Sequence, residues 1–511
     1  MLVDVLTDDA KYAAVSSKDP RFDGWFFTCV RTTGIYCRPS CPAITPRRGN
    51  VVFAPTAAAA QEMGFRACKR CRPDAAPGSP EWNVRADLVG RAMRLIADGV
   101  VDREGVSGLA ARLGYSERHL HRQLLAEVGA GPIALARAQR SQTARVLLET
   151  TALPIGDVAF AAGFSSIRQF NDTVRDVFAM TPTQLRAARR PGTRQSPKAG
   201  AGTLFLRLPF RRPFDVTSLF GFLAARAAPG VEVGNAYGYR RTVALPHGAA
   251  IVEVGDVSSI SDPTSTWNEQ GWIPCTLRLC DLRDLASAVA RSRRLLDLDA
   301  DAPAIDEFLG SDDALAASVR SSPGRRAPGH VDGFEVAVRA VLGQQVSVAG
   351  ARTLAARLSL TYGEPLPIAD PTLTRLFPTA TAIAHADPAA MPMPRARATA
   401  LVGLAGAVDD GELTLDPGSD RDEAVSRMSA LQGIGPWTTS YVAMRALGDP
   451  DAFMPSDLGV RQGLRALGLP SDVRSAEEAA RKWRPWRSYA LQHVWAAAAN
   501  AAVSRAGEQI A

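Results

Sequence analysis

The stretch Leu431-Gln432-Gly433-Ile434-Gly435-Pro436-Trp437 decides the fold of the C-terminal half of the chain. It lies between two segments with helical periodicity, and its glycines allow a tight turn between two helices. The amides of such a hairpin, together with the N-terminus of the following helix, can hold a phosphate group. A Gly-x-Gly turn also often only joins helices, so residues farther along the chain have to decide between the two interpretations.

A carboxylate and a group of aromatic residues follow this hairpin. Asp457 ends the segment Met454-Pro455-Ser456-Asp457, where an ordinary helix N-cap is one interpretation. Four of the eight tryptophans lie between residues 437 and 495. Electron-rich rings can form a pocket for a cationic ligand through cation–π attraction. Aromatic packing in a core is the alternative.

Three segments together with Asp457 resemble the AlkA-type DNA glycosylases over about residues 204–500. They are AVRAVLGQQVSV (337–348), the hairpin, and WRPWRSYA (483–490). The resemblance implies hydrolysis of the N-glycosidic bond of an alkylated purine of the 3-methyladenine or 7-methylguanine type. Such an enzyme flips the nucleotide out of the duplex and stabilises an oxocarbenium-like transition state.

The resemblance also implies roles for individual residues. Asp457 would supply negative charge near the sugar, and Trp437, Tyr441 and Trp495 would form the pocket of the flipped base. Gly433 and Gly435 would contact DNA, with a monovalent cation as a further candidate at the hairpin. Gln345 occupies the position where relatives have an apolar wedge that fills the gap left by the base.

The scarcity of lysine bears on the type of glycosylase. Only five of the 59 basic residues are lysine, and Lys482 is the only one between residues 199 and 511. Glycosylases that also cut the strand form a Schiff base through a lysine or an amine, and related hairpin glycosylases place it where this chain has Trp437. We therefore expect monofunctional base excision without strand cleavage.

The N-terminal part carries two close pairs of cysteines. Cys37 and Cys41 are separated by three residues, Cys68 and Cys71 by two, and the pairs by 26. Two such pairs can place four thiolates around one zinc ion. A closed four-cysteine site has no open position for water, which argues against hydrolysis by the metal. A purely structural zinc site and nucleophilic attack by a metal-bound thiolate remain.

Two segments resemble the N-terminal domain of the Ada DNA repair regulators, a likeness that extends over nearly all of residues 1–78. They are VRTTGIYCRPSC (30–41) and GFRACKRCRPD (64–74). The resemblance implies that Cys37 irreversibly accepts a methyl group from a methylphosphotriester of the DNA backbone. Loss of one thiolate charge would reduce repulsion of phosphate and raise DNA affinity. The candidate phosphate contacts are Thr33, Arg66, Lys69 and Arg70. The family has an arginine shortly after the second cysteine, where this chain has Pro42-Ala43-Ile44.

An internal repeat lies between these two parts. Leu113-Gly114-Tyr115-Ser116 recurs as Ala162-Gly163-Phe164-Ser165, each before a longer helix that its serine would cap. The repeat resembles the AraC-type DNA-binding domain, with recognition helices at about 117–126 and 166–177 in successive major grooves. The side chains expected to reach bases or phosphates are Arg118, His121, Arg122, Arg168, Gln169 and Asn171.

Strand periodicity returns after the repeat. Leu204, Leu206, Leu208 and Phe210 alternate with polar residues, as in a half-buried strand, and so does the segment from Cys275 to Leu279. Some members of the Ada family end in a Pro-Cys-His-Arg methyltransferase site. This chain has Pro274-Cys275-Thr276-Leu277 without the histidine, so Cys275 is interpreted as a strand residue.

Charge and composition narrow the class of protein. Residues 1–200 hold 28 basic and 18 acidic side chains, whereas residues 201–511 hold 31 and 34. The basic part predicts a polyanionic partner, with a merely solvated surface as the alternative. A hydrophobic content of 46% excludes a mostly disordered chain, and no apolar run is long enough to span a membrane. Seven cysteines and an acidic N-terminus without a signal pattern predict a reducing, cytoplasmic location.

Taken together, these features predict a multidomain α+β protein. The expected parts are a small zinc-binding α/β domain (1–78), an all-α double helix-turn-helix (81–190), a linker (191–202), a small antiparallel-sheet α+β domain (203–295) and an all-α helix-hairpin-helix glycosylase domain (296–511). We expect a methyl acceptor that switches transcription, joined to a DNA-3-methyladenine glycosylase. It would act on double-stranded DNA as a monomer, with RNA polymerase as a candidate partner. The alternative is a transcriptional regulator with structural zinc, whose degenerate glycosylase domain only clamps DNA.

Overall fold

The computed structural model describes residues 6–73, 87–188, 202–258 and 264–508. The chain forms two compact units, of which the first comprises residues 1–211, 245–250 and 272–290, and the second the remaining residues. The predicted linker at 191–202 lies outside the described residues, apart from Gly202. None of the described helices combines the length and apolar character that crossing a membrane requires.

The N-terminal part is a small α/β fold, as predicted. Its elements are α1 (Asp8–Ser16), β1 (Phe27–Val30), β2 (Ile35–Cys37), β3 (Val51–Ala54), α2 (Ala57–Glu62) and β4 (Arg66–Ala67). The sheet order is β3–β1–β2–β4, with β1 antiparallel to both neighbours and β2 parallel to β4. Cys29 and Tyr36 are fully buried between the sheet and its neighbours. Cys37 is the last residue of β2 and Cys68 directly follows β4, so these strand ends position one cysteine of each pair.

The described residues from 87 to 188 are helical, in agreement with the sequence. The helices are α3 (Leu88–Ala97), α4 (Val100–Leu113), α5 (Glu117–Val128), α6 (Pro132–Thr150), α7 (Ile155–Ala161), α8 (Ile167–Phe178) and α9 (Pro182–Ala187). The 19-residue α6 packs against both groups of short helices and against α2. Ser116 caps α5 as predicted, whereas α8 is capped by Ser166 and not by Ser165. The Ser166 Oγ accepts a hydrogen bond from Gln169 N at 3.1 Å.

A five-stranded sheet follows, as the alternation of residues predicts. Its strands are β5 (Thr203–Pro209), β6 (Glu232–Gly234), β7 (Gly238–Leu245), β8 (Gly248–Gly255) and β9 (Trp272–Leu279), in the order β5–β9–β8–β7–β6. β5 is antiparallel to β9, with Leu206 opposite Cys275. Cys275 is 2% exposed, which agrees with its interpretation as a strand residue. Three helices belong to the same stretch of chain, α10 (Val216–Arg226), α11 (Thr264–Glu269) and α12 (Leu285–Leu295).

The described C-terminal residues are helical. The helices are α13 (Ala302–Gly310), α14 (Ala316–Ser321), α15 (Gly333–Leu342), α16 (Val348–Tyr362), α17 (Ala380–Ala384), α18 (Arg395–Asp409), α19 (Arg421–Ala430), α20 (Pro436–Arg445), α21 (Leu458–Ala466), α22 (Val473–Ala480) and α23 (Arg487–Glu508). The apolar α15 lies in the centre of a core to which α16, α18 and α20 contribute.

Helices α21 and α23 approach each other unusually closely. A Cβ atom at Gly463 of α21 would lie 2.0 Å from the Val494 carbonyl oxygen of α23, a separation that only glycine tolerates. Because the two backbones meet here, the N-terminus of α21 lies beside the side chain of Trp495. This contact places Asp457, which precedes α21, at the pocket described next.

Candidate functional sites

The carboxylate of Asp457 is fixed from three directions. Its Oδ1 accepts hydrogen bonds from Val460 N at 2.9 Å and from the Trp495 indole at 3.0 Å. Its Oδ2 accepts one from the Trp437 indole at 2.9 Å. The N-cap interpretation is therefore confirmed, and the same carboxylate is also oriented by two aromatic side chains. An N-cap alone would need only the backbone bond.

Aromatic rings form two walls beside this carboxylate. Trp437 and Tyr441 stack with centroids 5.3 Å apart and an angle of 13° between their planes. Trp495 stacks with Phe222 of α10 at 6.3 Å and 26°. All four residues are half-buried, and Trp437 and Tyr441 pack with part of their surface against the core of the helical domain. The structure thus brings together the carboxylate and the three predicted aromatic residues.

Two arginines and Phe222 lie against these aromatic rings and were missed in the sequence. We call the carboxylate together with these aromatic and arginine side chains the Asp457 pocket. The guanidinium of Arg226 lies 3.7 Å from the Phe222 ring centroid, and that of Arg445 lies 4.8 Å from it. Arg445 Nη1 donates to the Tyr441 hydroxyl at 2.8 Å. Burial raises the pKa of Tyr441, but Arg445 and Arg226 outweigh burial and hold that pKa below its ordinary value. The sequence could have indicated the contact of Arg445 with Tyr441, because residues four apart in a helix are neighbours on its surface.

The hairpin and the loop before α16 are joined by Gln344. Its Nε2 donates to the Gly433 carbonyl and to Thr438 Oγ1, both at 3.0 Å. Gly433 has a φ of +82°, as the tight turn requires, and Gly435 forms the N-cap of α20. The neighbouring Gln345 is exposed at the tip of the loop with a left-handed φ of +56°. The expected wedge residue is thus presented to solvent beside the hairpin.

The four predicted cysteines converge at the ends of β2 and β4. Their sulfur atoms all lie within 4.8 Å of one another, and none forms a disulfide. This spacing fits the edge of roughly 3.8 Å that four thiolates have around one zinc ion. Cys37 is half-buried, whereas Cys41, Cys68 and Cys71 are at most 8% exposed.

The loop between the first two cysteines is held by a buried carboxylate. Asp23 is 4% exposed and accepts hydrogen bonds from Ser40 N at 3.0 Å and Ser40 Oγ at 2.6 Å. Arg38 Nη1 lies 3.3 Å from the same carboxylate. These contacts fix the chain on both sides of Pro39, and Cys37 is the most exposed of the four cysteines.

The predicted phosphate and base contacts of the first unit are mostly exposed. Around the cluster, the exposed residues are Thr33, Arg66, Lys69 and Arg70. On the two recognition helices they are Arg118, His121, Arg122, Arg168 and Gln169, whereas Asn171 is half-buried. Among the described residues, the partner of Arg168 is Asp172, in a long ion pair of 3.9 Å, and Arg122 contacts His119 at 3.1 Å. These side chains are available to a polyanion.

Comparisons with known protein families assign the parts of the chain. Residues 10–74 match the metal-binding domain of Ada, which identifies the cysteine cluster as a single zinc site. Residues 109–188 match a helix-turn-helix domain, and residues 205–332 match the AlkA N-terminal domain.

Curated relatives cover the chain in whole and in part. The DNA-3-methyladenine glycosylase 2 of Escherichia coli is 36% identical over 292 residues, which are 56% of this chain and 95% of that protein. The bifunctional transcriptional activator/DNA repair enzyme Ada of E. coli is 36% identical over 184 residues, which are 35% of this chain and 49% of that protein.

One relative matches nearly end to end. It is the "Probable bifunctional transcriptional activator/DNA repair enzyme AlkA" of Mycobacterium tuberculosis, 56% identical over 484 residues, which are 95% of each chain. The chain belongs to the family of bifunctional transcriptional activator/DNA repair enzymes of the AlkA type.

Proposed function

We propose that this protein excises alkylated purines from DNA and also accepts methyl groups from DNA phosphotriesters as a signal for transcription. One observation carries the first activity: a carboxylate held by two indole N–H groups between two aromatic walls. Three features support the second, namely the zinc cluster, its half-buried Cys37 and the exposed basic residues around it.

The Asp457 pocket suits a flipped, positively charged purine. The faces of Trp437, Tyr441 and Trp495 offer cation–π attraction to a base alkylated at N3 or N7. Departure of the base leaves positive charge on the sugar, which the Asp457 carboxylate stabilises because its indole donors hold it in one orientation. Gly433 and Gly435 would bind a backbone phosphate, with a monovalent cation at the hairpin, and Gln345 would fill the space left by the base.

The position of the single C-terminal lysine supports hydrolysis without strand cleavage. Lys482 Nζ lies 2.6 Å from Asp312 Oδ2, so this amine is engaged in an ion pair. The position after the hairpin carries Trp437, whose indole donates to Asp457. We therefore propose a monofunctional glycosylase.

Cys37 is the proposed methyl acceptor. The thiolates of Cys37, Cys41, Cys68 and Cys71 would hold the zinc ion, which would keep them deprotonated. The Cys37 sulfur attacks the methyl carbon of a phosphotriester, an S–C bond forms, the C–O bond breaks, and the electron pair remains on a phosphodiester oxygen. Four thiolates around one divalent cation carry a net charge of about −2, and methylation reduces it to about −1, so attraction to DNA increases. Arg66, Lys69 and Arg70 would contact the phosphates.

The partners follow from these two substrates. We propose that the monomeric protein acts on double-stranded DNA in the cytoplasm, where four zinc thiolates stay reduced. The exposed side chains of α5 and α8 would read an operator in the major groove, and RNA polymerase would be the partner in activation.

Release of methylated bases from duplex DNA tests the glycosylase. Asp457→Asn should lower the release rate by about 10³-fold, because the stabilising charge is lost. Asp472→Asn is the matched control, since Asp472 caps α22 through the same type of bond to Ser475 N but lies outside the pocket. Equal release by wild type and Asp457→Asn would favour the alternative of a degenerate domain that clamps DNA.

A duplex with one labelled methylphosphotriester tests the methyl acceptor. Label should move to the protein, and peptide mapping should locate it on Cys37. Cys280→Ser is the control, because Cys280 is an exposed thiol outside the cluster and its loss should change nothing. Label that stays on DNA while zinc is bound would reduce this domain to a structural role.

A further inference from the structure

A chain of contacts leads away from the cysteine cluster towards the helix-turn-helix units. Arg72 directly follows the ligand Cys71, has a left-handed φ of +51°, and donates its backbone N–H to the Cys68 carbonyl at 3.0 Å. Its guanidinium forms an ion pair with Glu149 near the end of α6. Arg72, the residue after the last cysteine of the cluster, thus forms an ion pair with α6, the long helix between the two helix-turn-helix units.

The contacts continue from Glu149 to the second recognition helix. Glu149 Oε1 accepts a hydrogen bond from Arg145 Nε at 3.0 Å, and Arg145 is 7% exposed. The Arg145 guanidinium lies 5.2 Å from the ring centroid of Phe178, which ends α8 and is 3% exposed. Both ion pairs are at least partly buried, and partly buried pairs are screened less by salt than exposed ones.

Arg72 therefore connects two negative groups, because it directly follows the cluster ligand Cys71 and its guanidinium pairs with Glu149. When a cluster charge is lost, the attraction between the cluster and Arg72 weakens while that between Arg72 and Glu149 is unchanged. The Arg72 side chain is then attracted relatively more strongly to Glu149. A change in the Arg72–Glu149 pair in turn changes the position of Arg145 against α8. A packed core usually responds to such a change by switching from one discrete arrangement to another, because it cannot deform continuously.

We propose that Arg72, Glu149 and Arg145 are positioning residues that transmit the methylation of Cys37 to the second recognition helix. The proposal rests on the methyl-acceptor function proposed above. It adds to the direct electrostatic effect on DNA a path through the protein, which ends at Ile167–Phe178.

Hydrogen exchange of the full-length zinc protein tests this path. The protein is methylated with a methylphosphotriester duplex, freed of DNA at high salt, and compared with the unmethylated form. Methylation should change exchange in Ile167–Phe178 by about fivefold, within the usual range of coupling between sites. Arg72→Gln and Glu149→Gln should abolish this change while Cys37 still takes up the methyl group. Glu149→Gln changes no residue of the zinc domain. It therefore tests the path even if Arg72→Gln weakens zinc binding.

The control is Arg21→Gln, which removes one arginine of the same domain from an exposed ion pair with Asp19. It should behave as wild type. The path is wrong if the two variants retain the exchange change, or if methylated wild type shows none. Absence of methyl on Cys37 in wild type contradicts the methyl-acceptor function itself, and the path with it.

Discussion

Asp457 combines two roles that single-sequence reasoning treats as alternatives. It caps α21 through Val460 N, and it accepts one indole N–H on each oxygen. The cap sets where the carboxylate lies, and the indoles set how its oxygens point. Both are needed if the charge is to face a sugar in one orientation.

Removal of one indole donor should weaken catalysis without emptying the pocket. Trp437→Phe and Trp495→Phe each keep an aromatic face but lose a hydrogen bond to a charged group, worth about 1.5–3 kcal/mol. We expect each to lower kcat/KM for base release by about 10- to 100-fold. Because both bonds act on one carboxylate, the double variant should lose less than the product of the two effects.

Trp272→Phe is the control for these substitutions, since Trp272 lies in β9, outside the pocket. A full rate in Trp495→Phe would show that the Trp495 indole bond contributes nothing to the transition state.

The arginines beside Tyr441 make a prediction about its ionisation. Burial raises the pKa of Tyr441. The guanidinium groups of Arg445 and Arg226 favour the phenolate and lower the pKa by more than burial raises it, so that it lies below its ordinary value. Arg445→Met should therefore raise the pKa of Tyr441, as measured by a ¹³C NMR titration with Tyr441→Phe for assignment. Tyr239, whose pKa burial and Glu232 raise well above its usual value, provides a reference in the opposite direction. An unchanged titration of Tyr441 would contradict the proposed balance.

At the level of helices and strands, the features that depend on neighbouring residues could be predicted from the sequence. The features that depend on contacts between distant residues could not. The hairpin, the β5 alternation and the α5 cap depend on neighbouring residues, so the sequence was sufficient for them. Phe222 and Arg226 come from α10, more than 200 residues before the hairpin, and no periodicity connects the two. The Ser166 cap differs from the expected Ser165 because the repeat carries two adjacent serines, either of which can cap.

The contact between α21 and α23 should control the pocket from outside it. In Gly463→Ala the new Cβ would clash with the Val494 carbonyl, so the helices must separate. We expect a loss of about 1–3 kcal/mol in the free energy of unfolding and a lower rate of base release, because Trp495 moves away from Asp457. Urea unfolding and the base-release assay measure the two effects.

A second glycine serves as the matched control. Gly403 of α18 has no atom within 4 Å of its hypothetical Cβ, so Gly403→Ala should stabilise the helix by about 0.5–1 kcal/mol and keep full activity. Equal behaviour of the two variants would show that the close approach of α21 and α23 has no special importance.

In the whole molecule, the distribution of net charge along the chain does not follow the distribution of the proposed DNA-binding sites. The first 200 residues carry a net charge of +10 and the remainder −3, yet both parts have a DNA substrate in the proposed function. In this proposal the helical C-terminal part binds DNA through the local arrangement of hairpin and pocket, which net charge does not reveal. The expected five-part organisation remains our proposal beside the two compact units of the structure.

The two activities should separate when zinc is removed. The Asp457 pocket is built from residues of the second unit, whereas the zinc cluster lies in the first. Chelation should therefore abolish methyl transfer to Cys37, because the thiols lose the cation that keeps them ionised. Base release from methylated duplex, assayed on the same sample, should continue at the rate of the zinc protein. Restored zinc should restore methyl transfer alone. A glycosylase rate that falls and recovers with zinc would instead show that the cluster supports the Asp457 pocket.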